Sequence, residues 1–283
     1  MERESLLLTL IILLGGLVLQ LFAAWPGSAA GSSAARQRER ALWFALWWPV
    51  APALTVAAWL CGWALSQPDP VPDHVGYLIF IAAAPFAVVG LRALLRALWS
   101  LCRSSHPYRG IATVGLLRPR ILVPRELAAV LDAGALHAAL THEQMHVRHR
   151  DPLRIWLAQL VTDLQWPWPP AARRFEAWLE ALEIARDDEA RSNGVGGADL
   201  AAAVLGSLRF ELGSRPVATL IGRPDALPAR IARLLCPLPE SKPEPPPLYL
   251  TVASGLAMTW LMAAALGLWF GPQLISALLA FSS

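Results

Sequence analysis

Long apolar tracts are the feature that most constrains the fold of this 283-residue chain. Two tracts, 5–25 and 41–65, contain no charged residue, a third lies at 75–98, and a fourth begins at residue 248. A membrane-spanning helix needs about 20 consecutive apolar residues, so the tracts predict four transmembrane helices. The composition agrees, because 16% of the residues are charged, whereas soluble domains have about 25%.

The charges between the tracts predict an orientation in the inner membrane. Three arginines lie within residues 36–40, whereas the loop 66–73 has two aspartates and no Lys or Arg. The positive-inside rule then places both termini outside the cytoplasm and the middle of the chain inside it. A cleaved signal peptide is the alternative for the first tract, but the leading residues, MERE, lack the required positive region.

The predicted organisation is a mainly α, polytopic membrane protein with one polar domain. Residues 1–100 form three transmembrane helices (5–25, 41–65 and 75–98) with short loops. Residues 101–247 form an α+β domain in the cytoplasm, and residues 248–283 form the fourth span and a short apolar tail. The chain has a net charge of +3, but it has no cluster of Lys and Arg that could bind a nucleic-acid phosphate backbone. This argues against direct nucleic-acid binding.

Within the polar domain, turn residues and periodicity predict the elements. Alternating apolar residues in 111–123 indicate one or two short strands or a hairpin. Asp132 is a candidate N-cap for a helix that ends before Pro152. A charged helix is predicted at 171–191.

His142, Glu143 and His146 form the pattern H-E-x-x-H. On a helix, positions i and i+4 share a face, so both imidazoles can reach one zinc ion. The glutamate can then take a proton from a water bound to the metal. The alternative is coincidence, because short motifs also arise by chance.

A third ligand is therefore needed, and the charged helix offers candidates. His149 lies on the same helix as the motif and is expected to be a solvated residue, since a tetrahedral site usually takes its third ligand from another element. Glu183 and Asp187 are four residues apart, so one carboxylate could bind the metal while the other holds a ligand histidine. Glu180 shares that face and remains a rival. His137 is expected at the surface.

Three segments, LLRPRILVP, ALTHEQMHVRHRDPL and EALEIARDDEA, resemble the beta-lactam-sensing antirepressor and methicillin-resistance regulator family of membrane metallopeptidases. The resemblance implies a gluzincin-type zinc metalloprotease domain between spans three and four. It also implies His142, His146 and Glu183 as zinc ligands and Glu143 as the general base, with Asp187 at the family's aspartate position.

Two departures from the family pattern affect what the resemblance implies. Arg186 replaces the cysteine of the family's E-L-A-C-D segment, which should leave the ligand role of Glu183 intact. The family's signalling members carry an extracellular penicillin-binding sensor after the fourth span. This chain is expected to lack that sensor, which puts beta-lactam recognition in doubt.

The function predicted is zinc-dependent hydrolysis of peptide bonds at the cytoplasmic membrane face, in regulatory proteolysis. The substrate would be a transcriptional repressor, another membrane protein or the chain itself, and membrane lipid and a second copy are further expected partners. One alternative is a non-proteolytic signalling or scaffold protein with a vestigial metal site. Another is a transporter, which ranks last because the tracts contain almost no charged residues.

Overall fold

A computed structural model describes residues 35–50, 77–103, 110–212 and 226–238. Within these ranges the chain forms eight α-helices and one antiparallel two-stranded sheet. In chain order the elements are α1 (Ala35–Trp47), α2 (Tyr77–Arg103), β1 (Ala112–Val114), β2 (Arg120–Leu122), α3 (Arg125–Val130), α4 (Ala133–His149), α5 (Asp151–Leu164), α6 (Pro169–Ser192), α7 (Gly197–Leu212) and α8 (Ala226–Leu235).

Local sequence signals set both ends of α4, the helix with the H-E-x-x-H pattern. The Asp132 side chain accepts a hydrogen bond from the Ala135 backbone N–H at 2.7 Å, which confirms the predicted N-cap. Arg150 adopts the left-handed conformation, with φ 53° and ψ 43°, and ends the helix. The next helix, α5, starts at Asp151 with Pro152 in its first turn, where proline is tolerated because that N–H has no helical partner.

The two short strands form the hairpin that the 111–123 pattern predicted. Thr113 pairs with Ile121 in the antiparallel register. Gly115 follows β1 with φ +99°, and a Cβ atom there would lie 2.7 Å from the Arg118 carbonyl oxygen. Only glycine adopts this turn without strain. Both strands pack against α4, so the hairpin lies beside the motif helix.

Two apolar clusters fix how the helices pack. One cluster lies among α4, α6, α7 and α8 and contains Ala138, Met145, Ala190, Val195, Leu200, Ala201 and Leu234. The other lies among α1, α5 and α6 and contains Leu42, Leu46, Ala158, Trp178, Ala181 and Leu182. Because α6 contributes to both clusters, it is the central helix of the described structure.

The predicted helical character with a small sheet is confirmed, but the prediction of four transmembrane helices is contradicted. In the part of the chain that the structure describes, no helix combines the length and the apolar character needed to cross a membrane. The predicted spans at 5–25 and from residue 248 lie outside the described residues, as does most of the span at 41–65.

Some of the described residues of the predicted spans make contacts within the protein, whereas Leu91, Leu94 and Leu95 of α2 are exposed. Leu42 and Leu46 of α1 belong to the apolar cluster shared with α5 and α6. Arg92 and Arg96 of α2 approach the buried Asp163 of α5, with Nη1–Oδ1 distances of 3.4 Å and 2.7 Å. For Leu42 and Leu46, the sequence pattern therefore misjudged the surface against which the side chains pack.

We predict that Leu46→Ala lowers the free energy of unfolding by about 2–5 kcal/mol, because the side chain is fully buried and its removal leaves a cavity. Urea unfolding followed by tryptophan fluorescence measures the change. Leu235→Ala is the matched control, since that leucine is 64% exposed, and its effect should stay within about 0.5 kcal/mol. Equal effects of the two substitutions would contradict the packing of α1 on α6.

Candidate metal centre

The crossing of α4 and α6 brings His142, His146 and Glu183 together. The two histidines lie one turn apart on α4, and both are buried. Their Nε2 atoms are 3.0 Å apart. The Glu183 carboxylate faces them from α6, with Oε2 at 3.4 Å from Nε2 of His142 and Oε1 at 3.6 Å from Nε2 of His146. The glutamate remains 38% exposed, so the group is open to solvent on that side.

The three groups offer a donor set that fits a zinc ion. A tetrahedral site with bonds of 2.0–2.1 Å places its ligand atoms about 3.3 Å from one another. The observed separations among the two nitrogens and the carboxylate, 3.0 to 3.6 Å, bracket that value. Two imidazoles and one carboxylate with an open side are the donor set of a catalytic rather than a closed structural site.

Two aspartates lie behind the histidines, one for each ring. Asp151 hydrogen-bonds to Nδ1 of His146, at 2.9 Å from its Oδ2. Oδ1 of Asp187 lies 3.0 Å from Nδ1 of His142, although the angle at this nitrogen is not that of a hydrogen bond. Such carboxylates select the tautomer in which Nδ1 carries the proton, which leaves the Nε2 lone pair available to a metal.

Each of these aspartates is in turn held by an arginine. Arg186 of α6 donates from Nε and Nη2 to the two oxygens of Asp151, at 2.5 and 3.0 Å. Arg230 of α8 donates in the same way to Asp187, at 2.7 and 2.9 Å. Arg230 also lies 3.0 Å from Oε2 of Glu183, so it joins the candidate ligand to the aspartate one turn further along α6.

This arrangement shifts the proton affinities of the groups. Burial opposes a charge on His142, but the carboxylates of Asp187 and Glu183 outweigh burial and raise its pKa to about 10. Burial alone would raise the pKa of Glu183, yet His142 and Arg230 hold that pKa well below its usual range. The carboxylate is therefore ionised, and metal binding must displace a proton from the histidine.

Glu143 is oriented by the hairpin. The hydroxyl of Thr113 on β1 donates to Oε2 of Glu143 at 2.7 Å and lies 3.1 Å from the backbone oxygen of the same residue. The glutamate directly follows His142 in the chain and is half-buried. Its carboxylate is thus held on α4 by a hydrogen bond from β1.

Three further residues were considered from the sequence as possible ligands, and none of them belongs to the three-ligand group. His149 lies outside the three-ligand group. The sequence predicted a solvated residue, but Nε2 of His149 lies 2.9 Å from the carboxylate of the buried Glu189. His137 is exposed, as predicted. Glu180, the rival carboxylate, is absent from the group that could hold a metal among the described residues.

Four residues of the site were not found by sequence reasoning: Thr113, Asp151, Arg186 and Arg230. Asp151 was within the quoted motif, but the left-handed residue before it breaks the helical register, so helix spacing could not place it. Arg230 and Thr113 come from distant elements, and no local signal marks them. Arg186 had a signal, because an arginine among the buried positions of α6 requires a carboxylate partner.

The fold brings His142, His146 and Glu183 together as a group that could hold a metal ion. Residues 109–191 match the family model described as the BlaR1 peptidase M56, which confirms the resemblance seen in the sequence. This segment includes every residue of the three-ligand group and Glu143. No curated protein and no solved structure gives a match. The match has no bearing on a sensor domain, whose absence stays a prediction.

We predict that the purified chain binds about one equivalent of zinc and that His146→Ala or Glu183→Ala removes most of it, because two remaining ligands hold the ion weakly. Elemental analysis after dialysis measures the metal content. His149→Ala is the matched control, and its zinc content should equal that of the unsubstituted chain. Loss of zinc from this control alone would contradict the ligand assignment.

Asp151→Asn should destabilise the metal-free protein by about 3–5 kcal/mol at pH 7, because the buried Arg186 would lose the carboxylate that accepts two of its hydrogen bonds. Burial would raise the pKa of Asp151, but His146 and Arg186 hold it below its usual range. A depressed pKa stabilises the fold above the unfolded value, about 3.9, and this stabilisation is lost as the pH falls below it.

The difference between the unsubstituted chain and Asp151→Asn should therefore shrink as the pH falls below about 4. Urea unfolding from pH 7 to pH 3 in the presence of a chelator measures it. Asp132→Asn is the control, since asparagine caps a helix as well as aspartate does. A difference that grew towards low pH would contradict the role of the ionised carboxylate.

Proposed function

We propose that this chain is a zinc-dependent endopeptidase that acts in regulatory proteolysis. The observation that carries the proposal is the convergence of His142, His146 and Glu183 within 4.8 Å of one another, with Glu143 held beside them. The match to the BlaR1 peptidase model supports a protease that acts in signalling.

Two histidines and Glu183 would hold the ion, and Glu143 would be the general base. Bound zinc supplies Lewis-acid polarisation of the scissile carbonyl and lowers the pKa of a bound water to about 7. Glu143 accepts the proton of the attacking water and delivers it to the leaving amine nitrogen. Thr113 donates a hydrogen bond to Oε2 of this carboxylate, so Oε1 is the oxygen that we propose for the transfer. Asp151 and Asp187 would orient the Nε2 atoms of the two histidines toward the ion.

A substrate peptide has a place to bind beside this group. The sheet has two strands within the described residues, so one edge of β1 carries unpaired backbone groups there. An extended peptide can add to such an edge as a further strand. Because Thr113 of β1 contacts Glu143, a peptide on this edge would pass close to the general base.

The partners and the location belong to the same proposal. The substrate proposed is a transcriptional repressor, another membrane protein or the chain itself. The location proposed is the cytoplasmic face of a membrane, and the match to the BlaR1 peptidase model supports the association with a membrane. Sedimentation of the chain with membranes after cell lysis tests the location.

Glu143→Gln should reduce proteolysis by about 10²–10⁴-fold, because glutamine cannot accept the proton of the attacking water. Zinc content should remain unchanged, since Glu143 is not a ligand. Comparative proteomics of cells that express either form measures the activity: cleavage fragments present with the unsubstituted chain should be missing with Glu143→Gln. Elemental analysis measures the zinc content.

The matched control is Glu180→Gln, the same substitution at an acid of α6 outside the metal group. It should leave both fragments and zinc content unchanged. Undiminished proteolysis by Glu143→Gln would refute the mechanism. Less than about half an equivalent of zinc in the unsubstituted chain would favour the non-proteolytic alternative, because a functional site binds zinc tightly.

A further inference from the structure

A buried ion-pair network lies behind His146, on the side away from the open face of the metal centre. Asp151 and Arg186 are almost completely buried, at 0% and 1% exposure. Charged residues are rarely buried to this degree unless each is paired. The family resemblance offers no explanation, since it places a cysteine where this chain has Arg186.

We propose that Arg186 is a positioning residue that sets the orientation of His146 through Asp151. The inference rests on the proposed metal site and adds to it a residue specific to this chain. Arg186 does not touch the candidate ligands themselves. Its effect on the metal would pass through one carboxylate and one imidazole.

The first step is the contact between Arg186 and Asp151. Nε donates to Oδ2 at 2.5 Å and Nη2 donates to Oδ1 at 3.0 Å. Two parallel hydrogen bonds from a planar guanidinium fix both the position and the plane of a carboxylate. A lysine could supply the charge but not the second fixed hydrogen bond, so the geometry depends on arginine.

The second step is the contact between Asp151 and His146. Oδ2, the oxygen that also receives the short hydrogen bond from Arg186, lies 2.9 Å from Nδ1 of the ring. A carboxylate at Nδ1 keeps the proton there and leaves Nε2 as the metal-binding atom. Since the plane of Asp151 is fixed, the direction of this hydrogen bond is fixed as well, and with it the direction of Nε2.

The surrounding charges hold Arg186 in this position. Its Nη1 donates to Glu189 at 3.4 Å, and Glu189 is itself buried. Arg154 donates to the other oxygen of Asp151 at 3.1 Å. Asp151 therefore has partners on both oxygens, and the Arg186 side of the pair cannot rotate without breaking a second contact.

The other histidine is held less completely. Asp187 lies 3.0 Å from Nδ1 of His142, but that nitrogen has no well-angled hydrogen bond. Its arginine, Arg230, is shared with Glu183, whose side chain is 38% exposed. The His146 half of the site is thus the buried and fully hydrogen-bonded half, and we expect it to determine the geometry that the ion meets.

The experiment compares the full-length chain with Arg186→Lys and Arg186→Met. Zinc affinity is measured by competition with a chromophoric chelator, and the visible spectrum is recorded after substitution with Co²⁺. Carboxylates that hold a ligand histidine contribute about 10–100-fold to metal affinity, so we expect a loss of about 10-fold for Arg186→Lys and a larger loss for Arg186→Met. The Co²⁺ spectrum should shift in both, because it reports the ligand geometry.

Arg233→Lys is the control, because it makes the same substitution in an arginine that pairs with Asp188, at 2.7 Å, and does not contact Asp151. It should leave both the zinc affinity and the Co²⁺ spectrum unchanged. Melting temperatures of the metal-free proteins are measured in parallel. Arg186→Lys retains the buried positive charge and serves as the deciding variant if Arg186→Met does not fold.

The outcomes separate this inference from the proposed function. Failure of the unsubstituted chain to bind zinc would overturn both. Zinc affinity within twofold of the unsubstituted chain, with an unshifted Co²⁺ spectrum, would overturn the role of Arg186 and leave the metal site standing. A loss of affinity that only follows a lower melting temperature, or that Arg233→Lys reproduces, would assign Arg186 to folding and overturn the inference.

Discussion

The contact between α4 and α6 is the constraint on which the rest of the structure depends. Met145 of α4 and Ala190 of α6 belong to one apolar cluster, which fixes the two helices side by side. His142 and His146 on α4 are four residues apart, and so are Glu183 and Asp187 on α6. Where the two helices cross, the carboxylate of Glu183 faces the Nε2 atoms of the histidines, and the carboxylate of Asp187 lies beside Nδ1 of His142.

The site is built from charges that would be costly to bury singly. A buried ion is tolerated where a partner and further hydrogen bonds satisfy it, and the loss of one partner is strongly destabilising. Asp151, at 0% exposure, meets this condition through His146, Arg186 and Arg154. The same contacts that make the burial tolerable also restrict the orientation of His146. Stability and the geometry of the candidate metal site are therefore coupled on the His146 side.

Sequence reasoning succeeded where a property depends on neighbours in the chain. The N-cap at Asp132, the hairpin in 111–123 and the shared face of His142 and His146 all follow from local periodicity and turn chemistry. It failed for the membrane spans in the described residues, since apolar content cannot reveal the surface against which a side chain packs. Leu46 is as apolar as a lipid-facing residue, yet it is buried against α5 and α6.

The sequence alone determined the chemistry that is available: two imidazoles one turn apart, a glutamate beside the first, and a carboxylate pair at the same spacing on a later helix. These relations hold on any α-helix, because its pitch is constant. Only the tertiary structure decided which side chains support them. Thr113 reaches Glu143, and Arg230 reaches Asp187, across 30 and 43 residues of chain. Contacts at such separations depend on how the helices pack, which no local pattern encodes.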